Sequence, residues 1–139
     1  MTRICVGALL VKQESMPYVL LGKRALHRAF YPDVWDMPGG HCEPGEMPEQ
    51  TLVRELSEEI GVTPTAWQLL DEVRAEIPEE DESLILHLYV VTVWIGTPHN
   101  CMPEEHSEIA WFTLDDACSL TLAHPAYQDV FRRLASLAQ

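Results

Sequence analysis

The chain has 139 residues, the size of one ordinary domain with a hydrophobic core of its own. Hydrophobic residues make up 47% and charged residues 22%, with no repeat or low-complexity run, which excludes extensive disorder. Nine basic against 22 acidic residues give a formal charge of −13, so duplex nucleic acid and anionic membrane surfaces are poor partners, whereas a small nucleotide carried with a divalent cation is not excluded.

Residues 2–12 are apolar on both alternating faces, which predicts a strand covered on two sides. The apolar run within it, Ile4 to Val11, is too short to span a bilayer and lacks the features of a secretory signal, so a cytoplasmic protein is expected. Residues 17–24 form a second strand, joined to the first as a hairpin; residues 27–38 are irregular, with Pro32, Asp33 and Pro38 at turns. Pro48 and Gly61 frame a helix over 48–60. Trp67, Leu69, Val73, Ala75 and Ile77 alternate with polar residues and predict a half-exposed strand, followed by an acidic loop at 78–83. The strand at 84–95 is apolar on both faces and should be central. A long loop at 96–108, of a length that often serves function, leads to a short strand at 109–113 and a single helical turn over 114–118. From Pro125 onward, Tyr127, Val130, Phe131, Leu134 and Leu137 recur at helical spacing. The order implies an α/β domain spanning 1–139, with a mixed sheet between helices. Cys5, Cys42, Cys101 and Cys118 are scattered without Cys-x-x-Cys spacing and read as reduced thiols.

The helix over 48–60 carries the chemistry. Leu52, Val53, Leu56 and Ile60 form its apolar stripe, while Glu55, Glu58 and Glu59 share an adjoining arc about 100° wide. Like charges at three- and four-residue spacing each cost the helix about 0.2–0.5 kcal/mol. Clustered glutamates usually mean a solvated acidic face. Here, however, Arg54 can hold part of the cluster, Glu46 can pair with Arg54, and a glycine-rich loop at 39–45 returns the backbone toward the helix start. Three carboxylates beside glycine carbonyls suit a hard divalent cation.

Gly40, Glu46 and the run Arg54-Glu55-Leu56-Ser57-Glu58-Glu59-Ile60-Gly61-Val62 match every fixed position of the Nudix box. With Trp35-Asp36-Met37-Pro38-Gly39-Gly40 before it and Ile109-Ala110-Trp111-Phe112 late in the chain, the sequence resembles the MutT-like Nudix hydrolases over almost its whole length. The resemblance implies an α/β/α sandwich and hydrolysis of a nucleoside diphosphate linked to a group X, with Mg²⁺ or Mn²⁺. It implies that Glu55, Glu58, Glu59 and the Gly39 carbonyl are metal ligands and that Glu46 and Arg54 form a structural ion pair. A late-loop glutamate, Glu105 or Glu108, is implied as a further catalytic group; Glu104 is expected to be solvated. Glu55 is the first choice for general base and the late-loop glutamate the second.

Arg24 occupies the place of a substrate-contacting arginine in the MutT type, with Lys23 and Arg28 as substitutes. His124 stands where that type has a purine-reading asparagine, and is read as either a base contact or a helix cap. Met37 or Trp35 is a further candidate for touching a base; His87 is read as a core histidine, and His41, His99 and His106 as unspecialised. The leading reading is a (d)NTP pyrophosphohydrolase acting as a monomer or homodimer. The alternatives are an ADP-ribose or NDP-sugar hydrolase, disfavoured by a first strand that begins at once, and a non-catalytic nucleotide sensor, disfavoured by a complete set of box glutamates.

Overall fold

A computed structural model describes residues 2–27, 32–77 and 82–137. Among them the elements run β1 (Thr2–Gln13), β2 (Pro17–Arg24), β3 (Trp35–Asp36), β4 (Gly39–His41), α1 (Pro48–Ile60), β5 (Thr63–Ile77), β6 (Glu82–Ile95), β7 (His106–Thr113), α2 (Leu114–Cys118) and α3 (Ala126–Leu137). Arg28 and most of the predicted acidic loop lie outside the described residues.

The sheet is mixed, with strands in the order β3-β2-β1-β6-β5; β4 pairs with β1, and β7 with β2. β1 and β2 are antiparallel, as a hairpin requires, while β1 and β6 are parallel, with Gly7 opposite Leu88. Alternation along the strands divides the interior in two. Val6, Ala8 and Leu10, with Leu20, Tyr89 and Val91, meet Leu52, Leu56 and Ile60 of α1. Leu9, Val19, Leu21 and Leu88 meet Leu114, Tyr127, Val130 and Phe131 of α2 and α3. Helices on both faces make the α/β/α sandwich, and this is why β1 and β6 read as apolar without interruption.

The half-exposed strand differs from its alternation. β5 begins at Thr63 rather than Trp67, and its pairing with β6 slips near Ala66 and between Leu69 and Asp71. The slip after Leu69 turns the following side chains to the other face, so that Trp67 packs on the α1-side core and Val73 on the α3-side core, while Leu69 between them is 52% exposed. α1 starts at Pro48 as predicted, whereas α3 starts at Ala126, one residue after Pro125. Met47 precedes Pro48, with its N–H donating to the Gln50 side chain at 2.8 Å, and Gly61 ends α1 in the left-handed region at φ 70°. No described helix is long and apolar enough to cross a membrane.

Candidate active site

The site forms where α1, β4 and the 96–105 loop converge. Arg54 is its fixed point. Its Nε donates to Glu46 Oε2 at 2.8 Å and its Nη2 to Glu46 Oε1 at 3.0 Å, a two-pronged pair. Nη2 also donates to the His41 carbonyl at 3.1 Å, tying α1 to β4. Nη1 reaches Glu55 Oε1 at 2.9 Å and Glu58 Oε2 at 3.2 Å. With Thr51 Oγ1 donating at 2.7 Å as well, the arginine hydrogen bonds hold the Glu46 carboxyl down at about 2.

The three box glutamates are not equally exposed. Glu58 is half in solvent, Glu55 is mostly covered, and Glu59 is only 3% exposed. Burial, followed by repulsion from Glu59, pushes the Glu55 carboxyl up to about 7 despite Arg54. Burial also raises Glu59, although its hydrogen bonds oppose the shift. Glycine makes this packing possible. A Cβ on Gly40 would lie 2.5 Å from Glu55 Oε1, and one on Gly39, whose φ is 154°, would collide with the Val6 carbonyl. The Gly39 N–H donates to Glu59 Oε2 at 2.7 Å.

The loop at 96–105 closes the other side by completing α1. His99 N–H donates to the Ile60 carbonyl at 3.1 Å and Cys101 N–H to the Glu59 carbonyl at 2.9 Å, satisfying acceptors that a helix end leaves open. Asn100 Nδ2 donates to the His106 carbonyl at 2.8 Å, and the Ala25 N–H to the Glu105 carbonyl at 2.9 Å. These bonds deliver Glu105 and His106 to Glu59; one ligand atom from each of the three lies within 4.8 Å of the others. Of the two late-loop candidates, Glu105 therefore reaches the cluster, while Glu108 is exposed on β7 opposite Lys23.

His106 corrects its reading as unspecialised. It is 6% exposed, with Nε2 2.9 Å from Glu59 Oε1. No sequence spacing pointed to it, because the contact joins residues 47 apart; adjacency to Glu105 was the one available signal.

The substrate candidates lie on the other layer. Arg24 Nη1 is 3.6 Å from Asp36 Oδ2, and Tyr127 OH donates to Asp36 Oδ1 at 2.9 Å. Burial raises the Asp36 carboxyl, with Arg24 opposing. His124 Nδ1 accepts the Ala126 N–H, the first amide of α3, at 3.0 Å, so the side chain caps the helix start and leaves Nε2 for any other contact. Met37, 5% exposed, packs in the α3-side core, and Trp35 stands edge-on to Phe112 at 4.8 Å. Lys23 Nζ is 3.3 Å from Asp33 Oδ1.

Residues 1–134 match the NUDIX domain family. The chain belongs to that family. The NUDIX match extends to an 8-oxo-dGTP diphosphatase of Escherichia coli strain K12, 37% identical over 83 residues, covering 58% of this chain and 63% of that relative. The chain thus spans less than two thirds of the E. coli protein. A nucleoside triphosphatase NudI of Salmonella agona is 31% identical over 103 residues, covering 68% of this chain and 72% of the relative. In three dimensions the chain is similar to a MutT NUDIX hydrolase from Burkholderia pseudomallei, with a TM-score of 0.75 at 30% identity over 83% of this chain and 85% of that one.

Proposed function

We propose that residues 1–139 form one NUDIX hydrolase domain that cleaves (d)NTP to (d)NMP and pyrophosphate, a cytoplasmic activity of the nucleotide-pool-cleansing kind. The observation that carries this reading is the convergence of Glu55, Glu58, Glu59 and Glu105 beside Gly39 and Gly40 of β4. Relatives named for 8-oxo-dGTP and nucleoside triphosphates support the substrate class.

The donor set fits a hard divalent cation. Burial, with repulsion from Glu59 on Glu55 and from Glu105 on Glu59, holds both carboxyls above the ordinary carboxylate range, and a cation among their oxygens relieves that repulsion. Glu55, Glu58, Glu59 and the Gly39 carbonyl would hold Mg²⁺ or Mn²⁺. When bound, such an ion neutralises polyphosphate oxygens and acidifies the attacking water. Arg54 does the fixed work of the site: it steadies Glu55 and Glu58 while Glu46 anchors it. Glu55 would accept the proton of water, with Glu105 as the second candidate. Arg24 and the remaining nitrogen of His124 would approach the nucleoside.

The test is a panel of NTPs, dNTPs, 8-oxo-dGTP and ADP-ribose with Mg²⁺, reading pyrophosphate against phosphate. Pyrophosphate from triphosphates is expected. Turnover of ADP-ribose alone, or of nothing on the panel, would overturn the reading.

A further inference from the structure

A buried carboxylate must find partners, and Glu59 finds one for each oxygen from two distant segments. The Gly39 N–H meets Oε2 at 2.7 Å and His106 Nε2 meets Oε1 at 2.9 Å. Held at both oxygens, the carboxylate cannot rotate, yet each oxygen retains a lone pair for a cation.

The histidine is specialised for this one contact. Its Nδ1 is buried and has no hydrogen-bond partner among the described residues. That side of the ring lies against Gly22 of β2, where an added Cβ would be 3.1 Å from Nδ1. With nothing to accept a proton at Nδ1, the ring's hydrogen belongs on Nε2, facing Glu59. Gly22 thus provides the seat, and the Asn100 bond to the His106 carbonyl at 2.8 Å fixes the backbone that carries the ring.

We propose that His106 is a positioning residue, seated on Gly22, whose Nε2–H together with the Gly39 amide sets the orientation in which Glu59 receives a divalent cation. The inference rests on the reading of Glu59 as a cation ligand. Outer-shell partners of this kind typically change metal affinity or activity about 10–100-fold when lost.

The experiment measures Mn²⁺ binding to the metal-free protein by electron paramagnetic resonance, alongside kcat and KM for dGTP. His106→Leu is expected to weaken Mn²⁺ binding about 10–100-fold and to lower kcat by a similar factor, with nucleotide KM changed less than about twofold. His106→Gln, which returns an N–H near the Nε2 position, should recover most of both losses. Gly22→Ala should shift the ring, weaken Mn²⁺ binding in the wild-type background and add nothing in His106→Leu. Variants that melt lower but bind Mn²⁺ as the wild type does would reduce His106 to a packing residue and overturn the proposal. Nitrogen modulation from an imidazole in the bound Mn²⁺ signal would make His106 a ligand, which also overturns it. If the wild type binds Mn²⁺ but hydrolyses no nucleotide, the functional reading fails while the Mn²⁺ comparison still decides the role of His106. A wild type that binds no Mn²⁺ defeats both.

Discussion

Stability should depend on pH and Mg²⁺ together, through Glu55. Its carboxyl stands at about 7 in the fold against an ordinary 4.5. A raised value means that the folded state favours the protonated form. The associated stability is complete below the ordinary value and is lost as pH rises through about 7. Between about pH 5.5 and 8 the unscreened loss would be about 2 kcal/mol, and solvent reaching this partly covered carboxyl screens it to about 1 kcal/mol. For a chain of this length that is about 3–5 °C in melting temperature. The assay is thermal melting of metal-free protein and of protein in millimolar Mg²⁺ at both pH values, with Glu55→Gln as reference for all contributions other than that of Glu55. The metal-free wild type should fall more than Glu55→Gln as pH rises, and Mg²⁺ should raise it more at high pH, where the ionised site binds best. Parallel curves for wild type and Glu55→Gln, or a Mg²⁺ effect independent of pH, would refute the reasoning.

Arg54→Lys keeps charge but loses the fork to Glu46, so unfolding in denaturant should show a loss of about 1–3 kcal/mol. Glu46, held at about 2, adds stability that is present above the ordinary 4.5 and lost as pH falls through its depressed value. Glu46→Gln should therefore flatten the acid limb of a stability profile. His124→Ala should cost about 1 kcal/mol through loss of the α3 cap, and His124→Asn, itself a good cap, should restore it in the same melting assay.

Much of this architecture is legible in the chain because it is local or periodic. Apolar residues on both faces announce β1 and β6 as covered strands, and Pro48 with Gly61 marks α1 because each suits one end of a helix and harms its middle. The short strands β3 and β4 are not legible that way; two or three residues hold strand geometry only because β2 and β1 pair with them. β7 likewise begins at His106, three residues before its apolar run, because its register is set by β2 rather than by its own pattern. The same division holds in the site. Glu55, Glu58 and Glu59 share a turn and can be placed by spacing, but burial of Glu59 under the 96–105 loop and the choice of Glu105 over Glu108 depend on contacts between residues 47 apart.

The central claim is that the α1 carboxylates hold a cation that makes a triphosphate hydrolysable. The most direct measurement is pyrophosphate release from dGTP by wild type, Glu58→Gln and Glu59→Gln, each with saturating Mg²⁺ and after exhaustive chelation. The account predicts release by the wild type only with Mg²⁺, and turnover in both folded variants lower by a factor on the order of 100 or more. Undiminished release after chelation, or wild-type rates in both variants, would contradict it and leave the three glutamates as an acidic face.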